Sequence, residues 1–140
     1  MAKQVKDVMT ADPACVSTDD TTDKAAQLMR DKDVGSIVVT DNGGSVHGIV
    51  TDRDIVVRAV ADAKHPEETR VEDVCSSDPT VVSADASIED AVKEMRDHNV
   101  RRVPVVEGDK PIGIVALGDL AKEQDPNSVL GDISAAAPNN

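Results

Sequence analysis

The sequence predicts an α/β protein built from two β-α-β-β-α copies that pack with pseudo-two-fold symmetry. Three observations predict it: an internal repeat, an amphipathic helix in each copy, and two strands around a turn after that helix. Residues 5–40 align with residues 71–106 at 14 identical positions of 36, and residues 46–55 align with residues 111–120 at 4 of 10. Two repeats are too few for a solenoid. We therefore expect two similar subdomains that face each other, with ligand clefts along their seam.

Each copy opens with a short segment that ends at an Asp-Pro pair, at residues 12–13 and 78–79. A brief extended piece follows the pair, at residues 14–17 and 80–83. These pieces are the first predicted strands.

An amphipathic helix comes next in each copy. Ser87 and Asp90 have the spacing of a capping box at the start of the second helix, with Asp in place of the usual Glu. Apolar residues then recur at i, i+3, i+4 and i+7, which is one face of a helix. They are Ile88, Ala91, Val92 and Met95, and the matching stripe of the first copy is Ala25, Ala26 and Met29.

Two strands joined by a turn, and then a last helix, complete each copy. The turn of the first copy is Asp41-Asn42-Gly43-Gly44, a strong turn signal. Pro104 cannot donate a ladder hydrogen bond, so its strand is expected to lie at an edge or to begin at Pro104. The predicted strands are residues 36–40 and 46–50 in the first copy and 103–106 and 111–115 in the second. The predicted last helices are residues 52–61 and 117–124.

The repeat divides the chain into four parts. Pro66 should end the helix that precedes it, within a polar connector. The residues after Leu130 are small and polar, so a frayed tail is expected. The predicted parts are a first motif at 3–62, a linker at 63–70, a second motif at 71–125 and a C-terminal tail at 126–140.

The charge and the missing aromatic residues argue against nucleic-acid binding. A formal net charge of −12 repels phosphate backbones. The chain has no Phe, Tyr or Trp on which bases could stack. We therefore expect no nucleic-acid partner.

Membrane, disulfide and metal chemistry are also not expected. There is no run of 18 apolar residues, and the first residues lack the apolar core of a signal peptide, which favours a cytoplasmic protein without a membrane partner. Cys15 and Cys75 stand at non-equivalent places of the repeat, so a disulfide framework is not expected. The three scattered histidines have no metal-ligand spacing.

The doubled pattern resembles a tandem pair of cystathionine β-synthase (CBS) domains. Gly-Ile-Val-Thr-Asp-Arg-Asp at residues 48–54 and Asn-Val-Arg-Arg-Val-Pro-Val-Val at residues 99–106 carry the resemblance, which covers about residues 3–125. It implies a regulatory module with two clefts that often bind AMP, ADP, ATP, NAD or S-adenosylmethionine, without a required cofactor. It also implies a homodimer, and the apolar helix at residues 55–61 is the expected interface.

The family motif Gly-h-h-Thr/Ser-x-x-Asp, with h an apolar residue, falls on Gly48, Thr51 and Asp54. The Thr51 hydroxyl could bond a phosphate, the Asp54 carboxylate could accept from two ribose hydroxyls, and Gly48 allows a close approach to the strand. Arg53 could pair with a phosphate. However, Thr51 and Asp54 also have the spacing of a capping box, which would only start a helix. Both interpretations stay open, because a capped helix can also bind an anion.

The second copy departs from this pattern. Asp119 keeps the carboxylate, but Ala116 replaces Thr51 and Gly118 replaces Arg53. We therefore expect an asymmetric module in which the first site is the more competent.

The resemblance adds further ligand contacts, each with a structural alternative. The strand residues would be apolar walls for an adenine, or plain core. The residues of the opening segments would lie near the base or phosphate, or would only form turns. An arginine before a strand would bind phosphate, or would only be solvated. These candidates are Ile37, Val38, Val103 and Pro104, then Thr10 and Ser76, and then Arg102 beside Arg101.

The leading hypothesis is a stand-alone sensor that binds an adenosine-containing ligand between its motifs and regulates an unidentified protein. The alternative is a protein-protein interaction module with degenerate, empty clefts. Catalysis is not expected, because the sequence has no Ser-His-Asp arrangement and no Walker loop.

Overall fold

The computed structural model describes residues 3–77 and 79–124, so Asp78 of the second Asp-Pro pair and the predicted tail at 126–140 lie outside the described residues. The elements of both copies follow the predicted order, and each copy gains a two-residue strand at its opening. The first copy contains β1 (Thr10–Ala11), β2 (Cys15–Ser17), α1 (Thr22–Lys32), β3 (Ser36–Thr40), β4 (Val46–Thr51) and α2 (Asp52–Ile55). The second contains β5 (Ser76–Ser77), β6 (Val82–Ser83), α3 (Ile88–Asp97), β7 (Arg102–Glu107), β8 (Lys110–Ala116) and α4 (Leu117–Gln124).

The helix predicted at residues 52–61 changes its geometry after one turn. It is α-helical over Asp52–Ile55 and continues as a π-helical turn over Val56–Val60. The predicted cap of α3 is present, since the Ser87 side chain accepts a hydrogen bond from the Asp90 N–H at 3.0 Å. Within the described ranges, no helix has the length and apolar character needed to cross a bilayer.

Each copy contributes its opening strand to the sheet of the other copy. One sheet has the order β2-β3-β4-β5 and the other β1-β8-β7-β6. β5 pairs antiparallel with β4, and β1 pairs antiparallel with β8. The remaining neighbours are a parallel pair, β2 with β3 or β6 with β7, and an antiparallel hairpin.

The compact units therefore do not follow the repeat. Within the described residues, the first unit contains residues 14–77 and 79, and the second unit contains residues 3–13 and 80–124. Each opening segment folds with the unit that carries the other copy's helices.

Equivalent backbone hydrogen bonds hold the two opening segments. Each opening contains a 3-10 turn, at Val5–Asp7 and Val71–Asp73, and the first valine of each turn is fully buried. The first two N–H groups of each turn donate to carbonyl oxygens in the loop before the other copy's first helix. The bonds are Val71 to Asp20 (2.7 Å), Glu72 to Thr18 (3.3 Å), Val5 to Ala86 (2.9 Å) and Lys6 to Ala84 (3.1 Å).

Each unit has its own aliphatic core, because the chain has no aromatic residue to fill one. A helix stripe packs on the inner face of the sheet, and the opening valine completes the cluster. The core of the first unit includes Ala25, Met29, Ile37, Val39, Val50, Ile55 and Val71. The core of the second unit includes Val5, Ala91, Val92, Met95, Val103, Val105 and Leu120.

The prediction for Pro104 is wrong. It is the third residue of β7, an inner strand between β8 and β6. In the first copy, the N–H of the equivalent Val38 donates to the Ala14 carbonyl at 3.0 Å. In the second copy, the ladder with β6 begins only where Val82 pairs with Val105. Pro104 lies just before that ladder, so an inner strand tolerates its missing N–H.

Candidate functional site

The structure divides the predicted ligand-binding residues between the two units. We call the residues at the β4–α2 junction, Gly48, Thr51, Arg53 and Asp54, together with Ser76 of β5, the first cluster. We call Arg102, Asp119 at the β8–α4 junction, and Thr10 of β1 the second cluster. The other predicted residues lie on β3 (Ile37, Val38) in the first unit and on β7 (Val103, Pro104) in the second.

Thr51 and Asp54 form a reciprocal capping box at the start of α2. The Thr51 Oγ1 accepts from the Asp54 N–H at 3.0 Å, and the Asp54 Oδ2 accepts from the Thr51 N–H at 3.0 Å. Both residues are half-buried. The structural interpretation of this spacing is therefore correct, and the box also fixes the orientation of the Asp54 carboxylate.

Gly48 permits a close approach, and the approaching group is the chain itself. Ser77 lies opposite Gly48 on β5, and Ser76 lies opposite Ile49. A Cβ atom at Gly48 would collide with the backbone carbonyl oxygen of Ser76. The pairing brings the exposed Ser76 to the strand that leads into Thr51.

Sequence reasoning missed Arg58, whose side chain connects the π-helical turn after α2 to the segment before β5. Its Nη1 donates to the carbonyl oxygens of Val74 at 3.0 Å and Cys75 at 3.4 Å, just before β5. Arg58 stands four residues after Asp54, on the same helix face, as the one cation of an apolar run. That isolated charge was the signal that could have identified it.

Cys75 lies beside these groups. Burial raises the pKa of its thiol, and the negative charge of Asp54 raises it further. The thiol therefore stays protonated near neutral pH and is a poor nucleophile there.

The four strand residues proposed as adenine walls fall on opposite faces of β3 and β7. Ile37 and Val103 belong to the two hydrophobic cores and are fully buried, as the core alternative states. Val38 and Pro104 alternate with them, are also buried, and lie outside the core clusters. Only Val38 and Pro104 therefore point away from the core of their own unit.

The second cluster lies on the equivalent strands and helix of its unit, but it carries different side chains. Thr10 lies opposite Ile114 on β8, and a Cβ atom at Gly113 would lie 2.8 Å from the Thr10 carbonyl oxygen. Arg102 pairs across the hairpin with Ala116, which has no hydroxyl to cap α4. Both Arg102 and Asp119 are exposed.

No group of three or more His, Cys, Asp or Glu residues that could hold a metal ion occurs within residues 3–77 and 79–124.

The comparisons with known proteins agree with this architecture. A family model described as CBS domain matches residues 5–60 and again residues 71–125. Uncharacterized protein YlbB of Bacillus subtilis (strain 168) is 40% identical over 136 residues, which is 94% of this chain and 91% of that protein.

Two solved structures share the fold. Hypoxic Response Protein I, solved with two coordinated zinc ions, has a TM-score of 0.77 and 34% identity, covering 86% of this chain and 98% of its own. The CBS domain pair of protein MJ0100, in complex with 5′-methylthioadenosine and S-adenosyl-L-methionine, has a TM-score of 0.78 over 91% of this chain and 100% of its own. At 22% identity, the second likeness shows the fold alone.

Proposed function

Because this chain belongs to the CBS domain family and carries the domain twice, we propose that it is a regulatory sensor of an adenosine-containing ligand, of the AMP, ADP, ATP, NAD or S-adenosylmethionine type. The single observation that carries this proposal is the first cluster. There, an oriented carboxylate lies at the β4–α2 junction, and an exposed serine on β5 lies opposite Ile49 of the strand that leads into it. A CBS pair of the same fold, that of MJ0100, holds adenosine-bearing molecules.

The chemistry of the first cluster suits a ribose. The Asp54 Oδ2 already accepts the Thr51 N–H, so the carboxylate needs no further ordering when a ligand arrives. An ionised carboxylate has about four lone-pair sites and can therefore also accept from sugar hydroxyls. The Ser76 hydroxyl is exposed and can add one more hydrogen bond to the ligand.

Ligand binding would act on the pairing of β5 with β4. Asp54 belongs to the first copy, whereas Ser76 belongs to the opening of the second copy. A ligand that bonds both would favour the state in which β5 is paired, and would disfavour any state in which it is detached. Arg58 supports the same pairing through Val74 and Cys75. The regulated protein would bind differently to the state in which β5 is paired and the state in which it is detached.

The proposal is tested by isothermal titration calorimetry of the full chain with AMP, ADP, ATP, NAD and S-adenosylmethionine. At least one should bind, and at 100-fold above its Kd it should stabilise the fold by about 2.7 kcal/mol. Asp54→Ala should abolish binding of at least one ligand. Ser87→Ala, which removes the equivalent cap bond from α3, should bind like the wild type.

Two results of this titration would contradict the proposal. If none of the five ligands binds, the chain is not an adenosine sensor. If Asp54→Ala binds all of them with unchanged affinity, the first cluster is not the binding site.

A second candidate function, protein-protein association, is favoured by the apolar surface of the π-helical turn. Val56, Val57 and Val60 are 57%, 46% and 58% exposed. Valine is a poor helix former, so local propensity does not explain three exposed valines on one turn. We infer that residues 55–61 form a homodimer interface.

Light scattering after size-exclusion chromatography tests this interface. The wild type should elute as a dimer and the double variant Val56→Glu/Val60→Glu as a monomer. Val34→Glu, at an exposed valine outside residues 55–61, is the matched control and should remain dimeric. A monomeric wild type, or a dimeric double variant, would exclude this interface.

A further inference from the structure

The two opening segments are connected in different ways to the last helical segment of their unit. In the first unit, the Arg58 Nη1 donates to the carbonyl oxygens of Val74 and Cys75, directly before β5. Glu123 stands at the equivalent place of α4, and a carboxylate cannot donate to a carbonyl. It accepts instead from the Lys3 Nζ at 3.0 Å, at the start of the first opening. The second opening is therefore held next to its strand, whereas the first is held well before β1.

The connection of the first opening is the weaker of the two. Lys3 and Glu123 form a surface ion pair, with side chains 58% and 34% exposed, and such pairs contribute little and are screened by salt. Arg58 makes charge-assisted bonds to backbone carbonyls, which are stronger. The connector adds to the hold on the second opening, since the Thr22 N–H of α1 donates to the Thr69 carbonyl at 2.8 Å. We therefore expect the first opening to detach more readily.

A strained residue follows the first opening. Asp12 comes directly after β1 and has a φ of 54°, in the left-handed region. Pro13 follows it, and a residue before proline favours extended backbone. Residue 13 belongs to the second unit, and residue 14 to the first. Asp12 therefore holds an unfavourable conformation at the point where the chain leaves one unit for the other.

Detachment of the first opening would uncover a specific binding surface on the second unit. Val5 is fully buried in the core of that unit. The N–H groups of Val5 and Lys6 donate to the loop before α3, and β1 pairs with β8. These contacts join the opening only to residues 80–124. The same opening from a second copy of the chain can therefore make all of them.

We propose that residues 3–13 swap between two copies of this chain, so that the opening of each copy completes the second unit of the other. Asp12 and Pro13 form the hinge. The contacts within each unit are kept in the swapped dimer, and a short hinge under strain favours such an exchange. Asp12 can then adopt the extended backbone that suits its place before a proline. The swap does not depend on ligand binding, and it uses a surface other than residues 55–61.

Disulfide trapping between two differently substituted copies tests the swap. Thr10 and Ile114 are partners in the β1–β8 ladder. Thr10→Cys in one copy and Ile114→Cys in the other should therefore form an interchain disulfide when an opening has moved to the other chain. Cys15→Ser in every chain removes an exposed native thiol. The copies are mixed at high concentration in mild urea, returned to buffer and oxidised, and mass spectrometry identifies the linked peptides.

The second opening supplies the matched control. Ser76 and Ile49 are the equivalent partners in the β5–β4 ladder. A mixture of Ser76→Cys and Ile49→Cys chains should give at least fivefold less interchain disulfide. Each pair is also placed within a single chain, which calibrates the disulfide yield that its geometry allows.

Two glycine variants test the hinge. Asp12→Gly should lower the interchain yield of the first pair at least threefold, because glycine adopts a positive φ without strain. Asp33→Gly, at a left-handed aspartate that ends α1, should leave that yield unchanged.

Two results would overturn the proposal. One is an interchain yield for the Thr10→Cys and Ile114→Cys mixture no higher than that of the control pair. The other is a yield that Asp12→Gly leaves unchanged, since the hinge would then not drive the swap.

Light scattering gives a second measurement that needs no added cysteine. Val56→Glu/Val60→Glu, taken through the same urea step, should contain a dimer fraction that Asp12→Gly lowers at least threefold. A wholly monomeric sample would likewise overturn the swap.

Discussion

The two copies share a scaffold and differ in the residues placed on it. Both openings form a 3-10 turn, bury one valine in the other copy's unit and add a two-residue strand beside a glycine. At the strand-helix junctions, by contrast, a capping box and a carboxylate in the first copy become an alanine and a leucine in the second. The comparison teaches that packing constrains the exchanged openings, whereas the exposed junctions have diverged in charge.

The largest expected effect breaks the scaffold at its closest backbone contact. In Gly48→Ala, the added methyl group would meet the Ser76 carbonyl, which belongs to a paired strand and has little freedom to move. We expect a loss of about 3 kcal/mol in the free energy of unfolding, at the upper end of overpacking costs. Urea titration followed by far-UV circular dichroism measures it, since the chain has no Trp or Tyr for fluorescence.

Gly113→Ala is the matched variant in the second copy. Its methyl group would meet the flexible Met9 side chain as well as the Thr10 carbonyl, so part of the strain can relax. We expect a loss of about 1 kcal/mol. Equal losses of stability in the two variants would show that β1 and β5 relieve the clash with the added methyl group equally well.

A second, smaller effect tests whether the buried valines of the two opening segments contribute equally to stability. Val71 and Val5 are both fully buried, each in the core of the unit formed mainly by the other copy. Val71→Ala and Val5→Ala should each cost about 2 kcal/mol, from lost burial and the cavity left behind. Denaturant titration should give the two values within the usual scatter of each other.

Val81→Ala is the control for this pair, because Val81 is 37% exposed. Its stability should change by no more than about 0.5 kcal/mol. A loss at Val71 as small as that at Val81 would mean that the opening segment contributes little to the first unit.

The smallest effect concerns the Asp20 carboxylate in the loop before α1, which has no equivalent in the loop before α3. The Asp20 carboxylate accepts from the Ser17 N–H at 2.8 Å, which holds its pKa below the usual value of 3.8, with a smaller contribution from Lys24. The second copy has Ala86 at this position. A lowered carboxyl pKa contributes stability above pH 4 and loses it as the pH falls through the folded-state value.

Thermal unfolding between pH 2 and pH 7 checks this. Asp20→Ala should lower the Tm near neutral pH, and the difference from the wild type should shrink toward pH 2. Asp19→Ala is the control, since its side chain is 59% exposed and its contact with Arg70 spans 3.8 Å. A difference that persists at pH 2 would assign the effect to packing and not to the charge.

Much of this fold follows from local pattern. β3 and α4 have the bounds that were predicted, because strand alternation and helical periodicity are legible over a few residues. The caps at Ser87 and Thr51 were predicted for the same reason. Among the candidate ligand residues, Thr51, Asp54 and Gly48 were placed correctly at a strand-helix junction.

Other features were beyond local pattern. The strands β1 and β5 have two residues each, which is too short for any period to show. The position of Pro104 inside a sheet depends on where β6 begins. Arg58 acquires its role from carbonyl groups sixteen and seventeen residues away in sequence.

By itself, the sequence determined the repeat, the α/β class, most of the helices and strands and the capping residues, because these depend on neighbours within about one turn or a few strand positions. Only the tertiary structure decided that each copy completes the other's sheet, that Ile37 faces a core while Val38 does not, and which charges meet at each junction. The physical reason is that strand partners are selected by long-range pairing and burial, which no local spacing encodes.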